Sequence, residues 1–319
     1  MRLPSANCQM TGAAGRRGAG LPLGQRRAFS LVEILLVVGL LSIIIIGLMA
    51  MFGQTQRAFR SSMTQVDVLE SGRMVTDLIG RDLEQVTPSY LSGTLNFYAD
   101  VPSGGGYVAP FLQPLPGSAK QRMNLIEDLF FLTKRNQEWI GIGYFVRTNS
   151  PINGQLGLSP VGLGSLYRFE TNAPVMSGRT PYQMFTEFGQ ARANEANVSK
   201  IADGVIHFKV RCFDTNGIWI TNNIPITNNF AVSTNIFAGY SYYSAPVLRG
   251  EVEYYAFYSN AVPASVELEL GILEDRAWER FQSLPDANSQ YRYLTNQTGR
   301  VHLFRQRIPI RNVDPTAYR

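Results

Sequence analysis

Apolar and polar positions alternate in two different periods along this chain, and the change of period divides it. From Ile34 to Phe52 run nineteen consecutive uncharged, mostly apolar residues, with Glu33 at the near edge and no further charge until Arg57. At ~1.5 Å of rise per residue, a helix of that length crosses a hydrocarbon core of ~30 Å. The transmembrane helix is therefore placed at Ile34 to Phe52. Past Phe52 the pattern stays helical. Phe59, Met63, Val66, Leu69, Leu78, Leu83 and Val86 recur near helical spacing, with Arg57, Arg60, Asp67, Arg73, Asp77 and Arg81 between them. That stripe reads as core packing, and Pro88 is expected to end the helix at or just before Thr87. From Phe29 this makes a helix of roughly 58 residues and ~87 Å.

Residues 89–124 read as a loop-like join, punctuated by Pro102-Ser103-Gly104-Gly105-Gly106 and by Pro110, Pro114 and Pro116. Beyond it the period becomes two. Ile142, Tyr144 and Val146 form one set and Ile206, Phe208, Val210 and Cys212 a second. Val252, Tyr254, Ala256 and Tyr258 form a third, and Val266, Leu268, Leu270 and Ile272 a fourth. Strands with one apolar and one polar face pack as an antiparallel sheet on one side. Asp214-Thr215-Asn216-Gly217 is a turn leading to Ile218-Trp219-Ile220, hence a hairpin. Leu166 to Phe169 reads as a further strand and Leu273 to Leu284 as a short helix. The stretches 149–165 and 221–247 are long for a minimal domain and are either surface loops or partner contacts. The expected fold is α+β: a long N-terminal helix, transmembrane then soluble, packed on an antiparallel β-sheet.

Glu33 is the one charge at the mouth of the span. A carboxylate costs roughly 2.5–3.5 kcal/mol at the bilayer centre and less at its edge, so it should be paired or functional. The residues around it, Arg26-Arg27-Ala28-Phe29-Ser30-Leu31-Val32-Glu33 followed by the apolar run, resemble the class III signal of type IV pilin-like proteins. In that family a basic leader ends in a small residue, a prepilin peptidase cuts before a Phe and methylates the new amine, and a Glu stands fifth in the mature chain. The resemblance makes Ala28 and Phe29 the processing site, with Ala28 in place of the usual Gly, Phe29 the N-methylated residue, and Glu33 the assembly residue. Glu33 would lie little more than one helical turn from the new amine. In the family it is thought to neutralise the amine of a neighbouring subunit, and two charges in lipid are tolerable only as a pair. The plainer alternative is a Glu snorkelling at the edge of an ordinary anchor. An ordinary secretory signal fits poorly, because the apolar run is too long and Ala50-Met51-Phe52-Gly53 is a poor cleavage site.

The resemblance implies a cleaved leader over residues 1–28, a membrane part of the helix over 29–56, an exported part over 57–87 and a β-rich exported domain over 88–319. It extends weakly into the body. Gly80-Arg81-Asp82-Leu83, the strand with Tyr167-Arg168, Ala202-Asp203-Gly204-Val205, the Asp214 to Trp219 hairpin, Pro263 to Leu268 and Arg305 to Asn312 are similar to J-type minor pseudopilins and W-type minor pilins. They are also similar to the Verru-Chthon cassette C proteins. Partners implied are a prepilin peptidase, other pilin or pseudopilin subunits and the inner membrane.

Charge changes the picture once. Residues 1–28 hold Arg2, Arg16, Arg17, Arg26 and Arg27 and no acid, which orients the N-terminus to the cytoplasm and the rest outward. Met10 offers a second start. The whole chain has 29 basic and 24 acidic residues, and without these five arginines the balance is 24 to 24. The basic excess is thus a topology signal and points to no nucleic acid. Cys8 falls in the leader, leaving Cys212 alone on the apolar side of its strand, a buried inert thiol. His207 and His302 read as solvated. Neither they nor the neighbouring acids Glu127-Asp128 and Glu274-Asp275 form a metal set or an acid–base pair. No cofactor and no enzymatic activity is expected. The functional expectation is a minor pilin or pseudopilin subunit of a type IV pilus or type II secretion pseudopilus. The alternative is a membrane-anchored exported binding module that recognises a cargo protein or surface.

Overall fold

A computed structural model describes residues 30–102, 111–115, 117–149, 156–157, 162–174, 180–194, 197–220, 238–244 and 253–318. The chain divides into two units, Met1–Ala58 and Phe59–Arg319. The helix α1, Leu31–Leu83, supplies the described part of the first unit and opens the second. In the first unit, Ser30 caps the helix: the Glu33 N–H donates to Ser30 Oγ at 3.2 Å and to its carbonyl at 3.0 Å.

The second unit is α+β, as the change of period implies. Its strands are β1 (Leu95–Asp100), β2 (Phe111–Pro114), β3 (Gln121–Asn124), β4 (Asp128–Arg135), β5 (Glu138–Asn149) and β6 (Leu156–Gly157). They continue with β7 (Gly164–Pro174), β8 (Val198–Phe213), β9 (Ala238–Ser244), β10 (Glu253–Ser259), β11 (Ser265–Leu273) and β12 (Val301–Pro309). Nine of them form one antiparallel sheet in the order β12-β11-β8-β7-β5-β4-β1-β10-β9, with β6 beside the end of β5 and a separate β2-β3 ribbon. Three further helices are α2 (Pro181–Asn194), α3 (Asp275–Gln282) and α4 (Ala287–Thr295).

From Val68 onward α1 packs on one face of this sheet. Val68, Val75, Ile79 and Leu83, with Val86 beyond the helix end, are buried against Phe131, Tyr144, Val210, Leu268 and Leu270. Gly72 sits in the same row, and a Cβ there would fall 2.1 Å from the Phe304 ring. Leu83 and Val86 of the expected stripe are buried as expected, but its first part is corrected. Phe59, Met63, Val66 and Leu69 are exposed at 66, 67, 55 and 47 %, because the first three lie opposite the Val68-Val75-Ile79 row and Leu69 lies on its flank. The helix also ends at Leu83 and not at Thr87. Gln85 and Val86 donate three residues back, to Asp82 and Leu83, and the Thr87 N–H then turns to the Leu132 carbonyl of β4 at 3.0 Å. Pairing with the sheet ends the helix before Pro88 can.

The other face of the sheet is not simply solvated, which corrects the one-sided reading. α2 covers β4, β5 and β7, placing Met184, Phe188 and Ala191 on Phe130, Phe145 and Phe169. Its start is capped by Gln183: Thr180 precedes Pro181 at the first helical position, and the Thr180 N–H donates to Gln183 Oε1 at 3.2 Å. Gly143 of β5 makes room for this helix, since a Cβ there would lie 2.3 Å from the buried Phe188 ring. Gly143→Ala should therefore lower stability by about 1–3 kcal/mol, the cost of overpacking a closed core. Gly189→Ala, where a Cβ meets only the Arg192 tip at 3.7 Å, should raise it by up to about 1 kcal/mol. Urea midpoints of the two variants check the pair; equal midpoints would mean α2 is not seated on Gly143.

Other strand readings divide. The Asp214 to Gly217 turn closes as expected, with the Asp214 N–H on the Ile218 carbonyl and the Ile220 N–H on the Cys212 carbonyl, both at 3.0 Å. Cys212 is buried as expected, and Val266, Leu268, Leu270 and Ile272 all enter the core. In β10 the faces are reversed: Tyr255 and Phe257 enter the main core, because the run Tyr254 to Tyr258 is apolar on both sides. The supposed join contains β1, a strand between β4 and β10, and 221–247 contains β9. Residues 103–110, 221–237 and most of 150–161 lie outside the described residues. The C-terminal segment with His302 is β12, paired along its length to β11.

Candidate functional site

Two places carry the residues singled out by the sequence. The first is the start of α1. Glu33 occupies its first turn, and Ile34 to Phe52 lie within it, their large apolar side chains exposed. Among the described residues this is the one helix long and apolar enough to cross a membrane, consistent with a single-pass membrane protein. Ala28 and Phe29 lie outside the described residues. Ser30 and Glu33 stand at capping-box spacing, and the bond formed is from the Glu33 N–H to the Ser30 hydroxyl. The cap bond uses the Glu33 backbone N–H, so its carboxylate is not consumed by it.

The second place is the end of α1, where three distant segments meet. Asp82 Oδ2 accepts from the Tyr144 hydroxyl at 2.6 Å and from Arg168 Nε at 2.8 Å, and Arg168 also pairs with Glu170. Burial and the adjacent Asp82 charge push the Tyr144 phenol up, so it stays a donor. Burial works against the Arg168 charge, but its bonds to Asp82 and Glu170 outweigh that and raise its pKa. The C-terminus completes the fastening: Arg311 pairs with Glu84, and Asn312 Nδ2 donates to the Val86 carbonyl at 3.2 Å and to Thr87 Oγ1 at 3.1 Å. Asp82 from Gly80 to Leu83, Arg168 from Tyr167-Arg168 and Asn312 from Arg305 to Asn312 thus converge on one helix end. Ala202 to Val205 and Pro263 to Leu268 fall on the neighbouring pair β8 and β11, where Gly204 takes a φ of +69°.

Buried ionic groups elsewhere were not legible from spacing. Asp128, fully buried, accepts two bonds from Arg147 at 2.9 and 2.7 Å and one from Arg192 at 2.6 Å, which pins α2 to β4 and β5. Glu127 turns the other way and accepts the Val210 N–H at 2.7 Å. His207 is not solvated. It is buried, its Nδ1 accepts the Leu125 N–H at 3.0 Å and its Nε2 faces Glu269 at 3.3 Å, and burial lowers its pKa. His302 is half-buried against Glu274 at 3.3 Å. These contacts are structural: each ties strands or helices together, and none exposes a nucleophile beside a base.

Asp100, opposite Asp128 in the β1-β4 register, is pushed up to about 6, first by burial and then by the Asp128 charge. Its unfolded value is 3.8, so the fold disfavours its charged form. Stability from this group is full below pH 4 and falls as pH rises through 6. Asp100→Asn should therefore stabilise the chain by about 1–2 kcal/mol at pH 7.5, discounted because solvent still reaches the carboxylate, and by nothing at pH 4. Urea titrations at both pH values measure it; an equal gain at both would remove titration as the cause.

No family model, curated relative or solved structure matches the chain. Its architecture, a long N-terminal helix packed on an antiparallel sheet, is consistent with a pilin-like one.

Proposed function

We propose that this chain is a subunit of a type IV pilin-like filament, a pilus or a type II secretion pseudopilus, anchored by α1. A prepilin peptidase would cut between Ala28 and Phe29 and methylate the Phe29 amine. The chain would already be inserted in the inner membrane, with its N-terminus cytoplasmic and the sheet domain exported. The observation that carries this reading is α1 itself. One helix bears a single carboxylate in its first turn, then an uncharged exposed apolar stretch of spanning length, then a row packed on an antiparallel sheet. An acid in the first turn helps a plain anchor only weakly, through the helix N-terminus, whereas Glu33 stands one turn from the amine that cleavage would create. The likeness of the body to J-type minor pseudopilins and W-type minor pilins is supported by the meeting of Asp82 and Arg168, which belong to two of its quoted motifs.

The test is intact mass and N-terminal sequencing of the membrane form, with and without a functional prepilin peptidase. A chain beginning at N-methylated Phe29 only when the peptidase is present is the expected result. A chain that keeps its leader in both would overturn the filament reading and favour the anchored binding module.

A further inference from the structure

On the face of the sheet turned away from α1, the three strands at the β12 end carry their charges in rows. Lys209 and Arg211 of β8, Glu267 and Glu269 of β11, and Arg305 and Arg307 of β12 share that face. Between them, Val210 and Leu268 enter the core under α1, and Gln306 lies beside Gly80 of α1. The register puts Arg211, Glu267 and Arg307 in one row and Lys209, Glu269 and Arg305 in the next. Each row reads base, acid, base and then stops, because β12 is the last strand of the sheet.

The backbone of β12 stops in the same way. At the two ends of its ladder the Glu274 N–H donates to the Arg300 carbonyl and the Ile310 N–H to the Ala264 carbonyl, both at 3.0 Å. Antiparallel pairs alternate between bonded and non-bonded, so residues 302, 304, 306 and 308 exchange bonds with β11. Leu303, Arg305 and Arg307 therefore turn their N–H and C=O groups to the open side. Among the described residues no hydrogen bond takes them, and all three side chains are exposed. Pro309, with no N–H to offer, closes the row. Arginine on an edge strand commonly guards it against pairing. Here the guanidiniums are drawn back over the sheet instead. Arg307 lies 3.8 Å over the Phe213 ring with its Nε donating to Ser265 Oγ at 3.0 Å, and Arg305 Nη2 donates to Glu267 at 2.7 Å.

We propose that this edge takes a further antiparallel strand from a different protein, an extended segment with two carboxylates two residues apart. Residues so spaced on a strand share a face at ~6.8 Å. The two acids would continue both rows, one opposite Arg305 and one opposite Arg307, as Glu269 and Glu267 do from β11. Opposite charges across strands attract and like charges repel. Backbone bonds to Leu303, Arg305 and Arg307 would supply affinity, and the spacing of the acids specificity. A second copy does not fit through β12, which has no acid to set against either arginine. No other segment of the chain fits either. Its acid pairs at this spacing are Asp82 with Glu84, Glu251 with Glu253, and Glu267 with Glu269. The first closes a helix, and β10 and β11, which hold Glu253 and the last pair, already have a strand on each side. The proposal does not depend on how the chain is anchored or processed.

The probe is a fluorescein-labelled peptide, STVEVEVTS, titrated with the full chain in detergent and read by anisotropy. It should bind at least about tenfold more tightly than STVKVKVTS, the result of two attractions against two repulsions. Arg305→Glu with Arg307→Glu should invert that preference. Methylating the backbone nitrogens of both peptide glutamates, whose N–H groups face β12 in this pairing, should abolish binding. Methylating the valine between them should not. Leu303→Pro removes an outward N–H without touching a bond to β11, and should weaken binding about tenfold at an unchanged urea midpoint. The methylated peptides are tested on the parent chain, so their result stands even where a variant fails to fold. Equal affinity for the acidic and basic peptides, or binding indifferent to methylation of the glutamates, would overturn the proposal.

Discussion

Asp82→Ala is expected to lower the stability of the sheet domain by about 2–3 kcal/mol. The carboxylate is the shared acceptor for Tyr144 and Arg168, at 2.6 and 2.8 Å, and its removal leaves a buried phenol and a guanidinium without it. Breaking a fully buried pair from one side costs about 3–5 kcal/mol. The smaller figure applies here because the Arg168 side chain keeps 20 % exposure and its bond to Glu170. Asp82→Asn, still able to accept from the phenol, should lose about half as much. The double replacement Asp82→Leu with Arg168→Met leaves only the exposed Glu170 without its ion-pair partner and should recover part of the loss. Chemical denaturation of the parent and the three variants measures these losses. A loss below about 0.5 kcal/mol for Asp82→Ala would show an ordinary surface pair. Asp82 lies in the last turn of α1 and ties that helix to β5 by the Tyr144 hydrogen bond and to β7 by the Arg168 ion pair.

How much of this could be read along the chain depends on how local each signal is. The apolar run after Glu33, the alternation of Val266 to Ile272, the Asp214 to Gly217 turn and the helix around Ala277 and Phe281 are written within a few residues, and each appears where its pattern places it. Two-sided burial erases such patterns. Tyr254 to Tyr258 is apolar at every position, so its period could not say that Tyr255 and Phe257 face the core. His207 looks polar-faced until the chain at Leu125 is laid against it. The Phe59 to Leu69 stripe was real but belongs to the free side of its helix, which a period alone cannot distinguish from the packed side. α2 had legible signals, Thr180-Pro181 with Gln183 at its start and Met184, Phe188 and Ala191 at helical spacing. The Asp82–Arg168 and Asp128–Arg147 pairs had none, since nothing in sequence spacing brings such residues together.

Glu33 carries the largest expected effect on function. Glu33→Ala should be cut and methylated at Phe29 like the parent yet enter filaments at least about 100-fold less, because an amine left in hydrocarbon without its counter-charge forfeits several kcal/mol. The helix start is not the cause, since the Ser30 cap is held by the backbone N–H of residue 33, which alanine retains. Glu33→Gln separates the two roles of the residue. Gln is accepted at this position of a capping box and keeps the size of Glu, but brings no charge. If electrostatic pairing governs assembly, Gln fails as Ala does, whereas a capping role predicts that Gln assembles and Ala does not. The measurement is the ratio of processed chain in sheared or detergent-resistant filaments to processed chain in the membrane, for parent and both variants. Normal incorporation of Glu33→Ala would end the pairing account. Under the proposed assembly the carboxylate and the amine enter the bilayer only as partners, so a chain that assembles without Glu33 would have to keep its amine out of lipid.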